Sequence, residues 1–432
     1  METYLPHLLV KLPGRTGGFC MKKPSTLRKS AGLVAVFLLG MSWFSPMQAA
    51  LRSMPDILAL TQGQMTEMHL GGLTLTGDAV SVTSSGDERL AEVTGQSCGT
   101  SEMWLSILGI PLKKVQVEVS PEKRLIPGGQ ALGVAMRTEG VLIVGVGEAA
   151  EGVAPAKDAG LQAGDVIVTV GGEAVTTAES LTSLLSKSGG KPIPIAYQRA
   201  GEKRTCLLTP HKDEATGAVR LGAWVRDSTA GVGTLSFYDP DTGRYAALGH
   251  AITDGDTGAV LTVSEGQVLR ADIVAVQKGQ RGVPGELKGS FLRDAQRLGD
   301  IRRNSILGIY GALDKPAVNP LYPDGLPIGL RSGVHTGKAT ILSSVDGTGI
   351  HEYAIEITRV NQQSAPAPKS MVIRVTDERL LEATGGIVQG MSGSPIIQDG
   401  RLIGAVTHVF VSDPTQGYGL YVDWMLQEAG AV

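Results

Sequence analysis

The sequence predicts a mainly β protein, and three observations predict it. Glycine is abundant, at 58 of 432 residues, while aromatics make up only 4%, a balance that favours tight turns and strands packed with Val, Ile and Leu over helical bundles. Short apolar or alternating runs recur along the chain, bounded by Gly, Asp and Pro. The final 220 residues carry almost no helical periodicity.

The N-terminus reads as a targeting segment. Basic residues from Lys22 to Lys29 precede the apolar run Ala31–Phe44, the pattern of a secretory signal or signal-anchor. The run is short for a full span of about 20 residues, and Met47-Gln48-Ala49 only loosely fits a small-x-small cleavage site. Met21 is an alternative start. Residues 1–50 are therefore expected to be a leader and anchor that export the chain. Residues 51–120 are either a small β-rich module or a spacer: Pro55–Leu60 and the alternating Val115-Gln-Val-Glu-Val-Ser120 suggest short strands.

Composition excludes some functions. A net charge of −3 gives no electrostatic footprint for nucleic acid. Three cysteines, Cys20, Cys98 and Cys206, are too few and scattered for a disulfide framework or zinc site; Cys98 and Cys206 either pair in an oxidising compartment or stay free. No His-Glu-x-x-His or similar spacing supports a metal, and no cofactor is expected.

Residues 121–212 contain Leu125-Ile-Pro-Gly-Gly, strands at Val141–Val146 and Val166–Val170, the segment Ala159-Gly-Leu-Gln-Ala-Gly-Asp165, and a helix expected over Thr177–Ser188. This wording resembles a PDZ domain. The resemblance implies a peptide added as a strand, with its terminal carboxylate held by a loop expected at Leu132, Gly133 and Val134.

Residues 213–432 carry the chemistry. Strands at Gly233–Tyr238, Ala339–Leu342, Tyr353–Thr358, Met371–Thr376, Leu402–Val406 and Gly419–Val422, with turn signals between them, predict a barrel or sandwich. A serine needs a base to take its proton and donors for the oxyanion. In Gly390-Met-Ser-Gly-Ser-Pro395 the glycines permit a turn that aims the N–H groups of Gly390 and Ser392 at one point. The segment resembles the nucleophile region of chymotrypsin-like peptidases. The base is expected at His250, where an apolar strand ends in Gly-His and then Ala-Ile-Thr-Asp254. His408 is a candidate for the wall of the substrate pocket or for the core.

Together, Ala-Leu-Gly-His250, Gly-Met-Ser392-Gly and the PDZ-like unit resemble the stage IV sporulation protein B peptidase family. The resemblance implies a PDZ domain followed by a chymotrypsin-like double β-barrel, and a serine endopeptidase that cleaves itself and a membrane-bound regulator in late sigma-factor processing. It implies export across the forespore inner membrane to the intermembrane space, with membrane anchoring before release. Its own N-terminal segment is then one partner, and an inhibitor protein is another possible one. The same resemblance puts the third catalytic member at Asp377. By spacing alone Asp294, Asp300 and Asp254 remain alternatives. A silent PDZ-containing scaffold is the competing reading.

Overall fold

A computed structural model of the chain describes residues 46–430 except 79, 85–89 and 291–295. The leader segment and Cys20 lie outside the described residues. Among the described residues no helix is long and apolar enough to cross a membrane.

Residues 46–120 form a β module with its own core, which decides between module and spacer. A four-stranded sheet runs in the order Ile57–Thr61, Ile110–Ser120, Gly99–Ile107, Thr74–Gly77, and a second sheet joins Met65–His69, Leu90–Gly95 and Val80–Ser84. The alternation in Val115–Ser120 is the signature of a half-buried strand: Val115, Val117 and Val119 point into a core with Leu58, Leu60, Met103 and Leu105. The helix Pro46–Ser53 covers that core with Ala50.

Two strands of 16 residues, Ala131–Val146 and Ala223–Tyr238, organise the rest. They pair antiparallel from Ala223↔Val146 to Thr234↔Ala131, and this ribbon passes through two domains. One end carries the PDZ unit. There Val141 and Ile143 join Ile167, Val170, Ile195 and the helix residues Leu181, Leu184 and Leu185 in one core. That helix, Ala178–Lys187, starts at a capping box in which Thr177 and Ser180 exchange hydrogen bonds. The other end enters the first half of the C-terminal domain, where Leu132 and Val134 pack with Leu235, Tyr245, Val268 and Ile309.

The expected division into 121–212 and 213–432 therefore needs correction. Residues 124–138 are strands of the C-terminal domain, because Leu125 pairs with Leu326, Ile126 with Tyr238, and Leu132–Thr138 with Val263–Arg270. The PDZ unit is inserted between the two strands of the ribbon. Cys98 and Cys206 are both free and sit in different modules.

The second half of the C-terminal domain is a closed six-stranded barrel in the order Gly337–Ser343, His351–Val360, Met371–Val375, Asp413–Tyr421, Arg401–Phe410, Pro395–Gln398. Alternate positions such as Ile341, Ile355, Ile373, Ile396 and Leu420 fill it. The helix Val422–Ala429 closes the chain. At its start Asp423 is buried and paired with Arg331, whose guanidinium also lies 4.2 Å from the Trp424 ring centroid. Burial raises the Asp423 carboxyl above its ordinary range despite the arginine.

Removing one partner of such a pair strands the other charge, which costs about 3–5 kcal/mol. Arg331→Met is therefore expected to lower unfolding free energy by about 3 kcal/mol at neutral pH in denaturant titrations. A loss under about 0.5 kcal/mol would show the pair to be dispensable.

Candidate active site

The site lies in a cleft of about 800 Å³ between the two halves of the C-terminal domain, lined by His250, Gly390, Ser392, Thr407 and His408 among others. His250 comes from the first half. The strand Arg244–Ala247 ends in two residues with left-handed backbone, Leu248 (φ 70°) and Gly249 (φ 69°). A buried leucine seldom adopts this conformation, and Leu248 N–H donates to the Thr234 carbonyl at 3.3 Å. A Cβ on Gly249 would lie 2.9 Å from Thr407 Cγ2, so the approach requires glycine. Beyond His250, Asn304 accepts from Ile252 N–H and donates to the carbonyls of Ile252 and Leu261, all at 2.8 Å.

His250 Nδ1 stands 2.8 Å from the Ala251 carbonyl. A carbonyl can only accept, so Nδ1 carries the hydrogen and Nε2 keeps its lone pair. Burial lowers the pKa of the ring and the Ala251 carbonyl opposes that shift.

Ser392 comes from the second half, in a turn closed by Ser394 N–H to the Met391 carbonyl at 3.0 Å. Gly390 and Gly393 flank it with φ of 97° and 99°, and a Cβ on Gly393 would lie 2.1 Å from the Thr234 carbonyl oxygen. Thr234 holds this turn twice: its N–H donates to the Ser392 carbonyl at 3.0 Å and its hydroxyl to the Gly390 carbonyl at 2.7 Å. Among the described residues the N–H groups of Gly390 and Ser392 have no hydrogen-bond partner. Buried donors left open in a cleft suit an incoming oxyanion. The Ser392 hydroxyl itself donates to the Thr407 carbonyl at 2.7 Å, not to His250.

His408 faces His250, with ring centroids 5.1 Å apart and planes tilted by 40°. Partial burial, then His250 and Lys369, bring its pKa down to about 4. It lines the cleft and is not buried in the core.

The structure does not bring Asp377 to His250. Asp377 caps the helix Glu378–Thr384 by accepting from Arg379 N–H at 3.0 Å. It also receives the Arg379 guanidinium at 2.8 and 3.0 Å and Ala354 N–H at 3.1 Å. Arg379 first, with these backbone donors, holds its pKa down to about 2. The alternatives are committed elsewhere too. Asp254 closes a turn through Thr257 and Asp256 N–H and pairs with Arg226. Asp300 accepts from Ala312 N–H and Arg302. Asp294 lies outside the described residues. Among the described residues no carboxylate hydrogen-bonds to His250, and the Ala251 carbonyl occupies that role.

The peptide-carboxylate loop also needs correction. Leu132, Gly133 and Val134 are mid-strand, paired with Gly233, Val232 and Gly231 on one side and Arg270, Leu269 and Val268 on the other, so their backbone is spent. A different groove, of about 440 Å³, lies between Leu181, Thr182 and Leu185 of the PDZ helix and Leu221–Val225. There the strand from Ala223 pairs with Val146–Leu142 along one edge. Among the described residues its other edge pairs with nothing as far as Arg226. Gly222 enters it with φ 73°. The signal was legible as Leu221-Gly222-Ala223 ahead of an extended run, but after the PDZ helix and not before it.

Residues 217–426 match the family model described as SpoIVB peptidase S55, and residues 151–199 match a PDZ domain. Over residues 217–426 this chain is thus similar to the SpoIVB peptidase S55 family. Curated relatives of this chain include a putative zinc metalloprotease of Lactococcus lactis, 31% identical over 108 residues (25% of this chain, 23% of that one). Another is the zinc metalloprotease RasP of Oceanobacillus iheyensis, 34% identical over 65 residues (15% of each). The chain thus spans less than a quarter of the length of these relatives. Among the described residues no group of three or more His, Cys, Asp or Glu is arranged to hold a metal. Solved structures similar to it include the Rv3671c protease of M. tuberculosis in its active form, at 16% identity and TM-score 0.26, covering 47% of this chain and 74% of that one. The HtrA-type protease AlgW with a tripeptide gives 16% and 0.26, covering 46% and 54%. At these scores neither alignment supports comparison residue by residue.

The cap assignment of Asp377 separates cleanly from a triad assignment. Asp377→Asn is expected to lose about 1 kcal/mol of stability at pH 7. The carboxyl's folded pKa is depressed, so its contribution is complete above about pH 4 and fades as the pH falls towards 2. The folded variant should keep kcat within a few-fold, whereas a triad acid would cost about 10⁴. Denaturant titration beside single-turnover kinetics distinguishes the two.

Proposed function

We propose that this chain is a serine endopeptidase in which His250 is the base, Ser392 the nucleophile, and the N–H groups of Gly390 and Ser392 the oxyanion hole. One observation carries this reading: a histidine with a free Nε2 lone pair and a serine share a cleft with two open N–H donors beside the serine.

The chemistry follows in order. Rotation about the Ser392 Cα–Cβ bond takes the hydroxyl from the Thr407 carbonyl to His250 Nε2. Nε2 accepts the proton as Oγ bonds to the substrate's carbonyl carbon, and the C=O electron pair moves onto oxygen. The resulting oxyanion is met by Gly390 and Ser392 N–H, each such donor being worth about 3 kcal/mol. Nε2 then gives its proton to the leaving nitrogen as the C–N bond breaks. Water oxygen then bonds to the acyl carbon as Nε2 takes its proton, the C–Oγ bond breaks as the oxyanion collapses, and Nε2 returns the proton to Ser392 Oγ as the acid departs. The helix-capping Asp377 supports the barrel around this reaction without entering it.

The hydrogen bond from Ser392 to Thr407 supports a resting state in which the nucleophile is held away from its base. A peptidase that waits for its signal suits the finer expectation attached to the family. In that reading the chain is exported across the forespore inner membrane to the intermembrane space by the basic and apolar segment before residue 45. Within residues 45–120 it cleaves itself, and it then cleaves a membrane-bound regulator to trigger late sigma-factor processing. The groove beside Leu221–Val225 receives an extended peptide from a substrate, from its own N-terminal segment or from an inhibitor protein.

Ser392→Ala is expected to abolish peptide cleavage and fluorophosphonate labelling while leaving the unfolding midpoint unchanged. N-terminal sequencing of both proteins should show trimming only in the wild type. Cleavage persisting in the variant would end the assignment, and a wild type that never labels would favour the scaffold.

The base must be neutral to act, and burial lowers its pKa. The acid limb of kcat/KM is therefore expected below pH 6.5, with activity lost as the pH falls through the lowered pKa. A limb centred at or above pH 7 would contradict this, and His408→Gln should leave the limb in place.

A further inference from the structure

The sheet of the N-terminal module projects a hairpin made by Gly99–Ile107 and Ile110–Ser120. Its inward positions, Met103, Leu105, Val115 and Val117, are apolar because they pack the core. Its outward positions are apolar without that reason. Leu108 is 96% exposed at the tip, with Ile110 at 62%, Leu112 at 44% and Trp104 at 41%. Leu108 also has left-handed backbone, with φ 49°, where Asn, Asp or Gly is at ease and a branched side chain is not. A residue that strains its turn and touches almost nothing contributes little to the fold. An exposed apolar cluster of this kind marks a contact surface.

The location of the tip identifies what it touches. Thr74 pairs with Ser106 at the tip end of the hairpin, and the turn before Thr74 contains Gly71. A Cβ on Gly71 would lie 2.5 Å from the Pro46 carbonyl oxygen, so the chain enters the module at this same end. Immediately before Pro46 in sequence stands the apolar run Ala31–Phe44. Across the hairpin from Leu105 and Trp104, Lys113 pairs with Asp56 and Lys114 with Glu102. The tip therefore carries apolar surface and an indole without net charge.

We propose that the Trp104–Leu112 hairpin tip inserts shallowly into the lipid bilayer that receives the Ala31–Phe44 run, fixing the module against the membrane as a second contact. The proposal rests on the reading above that this run enters a membrane. Apolar side chains at the tip suit the acyl boundary, and the Trp104 indole suits the interface. Because the charges beside Trp104 are paired, zwitterionic lipid suffices.

The test uses the full chain with phosphatidylcholine vesicles whose acyl chains are either plain or brominated. Subtracting the Trp104→Phe spectrum isolates the emission of Trp104 from the other tryptophans. Flotation with the vesicles reports on the apolar run, and quenching of Trp104 reports on the hairpin. The expected result is flotation together with a roughly twofold loss of Trp104 emission in brominated vesicles. In Leu108→Asn, whose new residue tolerates the left-handed turn, that quenching should be lost while the unfolding midpoint and peptidase activity hold. Flotation with identical Trp104 emission in both lipids would overturn the hairpin contact and leave the anchor standing. Failure to float would overturn both. Trp104 emission that answers to an added protein and not to brominated lipid would assign the tip to a protein partner and end the proposal.

Discussion

The hydrogen bonds made by Thr234 hold the catalytic arrangement together. Through its N–H and hydroxyl it fixes the carbonyls of Ser392 and Gly390, and its own carbonyl receives Leu248 N–H two residues before His250. The Ser392 turn and the His250 turn thus meet on a single residue. Each such buried bond contributes about 1 kcal/mol net, but losing one leaves a buried group unsatisfied at about 1–3 kcal/mol. The packing permits no substitute for this arrangement, since a side chain at Gly393 would strike the Thr234 carbonyl. Thr234 owes its own position to the long ribbon, in which it pairs with Ala131.

That ribbon explains the domain order. The strand Ala223–Tyr238 offers Ala223–Val225 to the PDZ groove and Thr229–Val232 to the catalytic cleft. Its register shifts at Trp224/Val225 and Arg226/Ser228. Such bulges bend a strand and increase its twist, and they lie where the ribbon leaves one domain for the other. One continuous strand therefore serves two binding edges, which is possible only because the PDZ unit is inserted in the peptidase and does not merely precede it.

What was legible in the sequence was local. Glycine spacing around Ser392 and the Gly-His at the end of an apolar strand are short-range signals, and they found the two residues that share the cleft. The alternation in Val115–Ser120 and the turn residues of the last 220 positions read correctly for the same reason. What escaped was set by distant partners. Gly133 resembles a binding-loop glycine until Gly231–Gly233 and Val268–Arg270 are seen to flank its strand. The groove strand follows the PDZ helix in sequence, so a reading that places the loop first looks on the wrong side. Asp377 lies the right way round for a triad, but Asp-Glu-Arg-Leu-Leu is also a helix start, and the cap prevailed. Thr234 and Thr407 act through backbone groups, which leave no mark on residue type.

The substitution of a backbone carbonyl for the carboxylate has a chemical consequence. An orienting acid does two things: it fixes the tautomer of the histidine, and it stabilises the imidazolium that forms. The Ala251 carbonyl does the first fully, since it can only accept. It does the second weakly, because a dipole offers less than a full charge to a cation in a partly buried site. His250 is thus correctly protonated but reluctant to become charged, which is the direction burial already pushes it. Add a nucleophile bonded to Thr407 at rest, and both halves of the proton transfer begin uphill. In the proposed reaction the stabilisation then rests on what the bound substrate contributes, through oxyanion contacts at Gly390 and Ser392 that exist only once the reaction has begun.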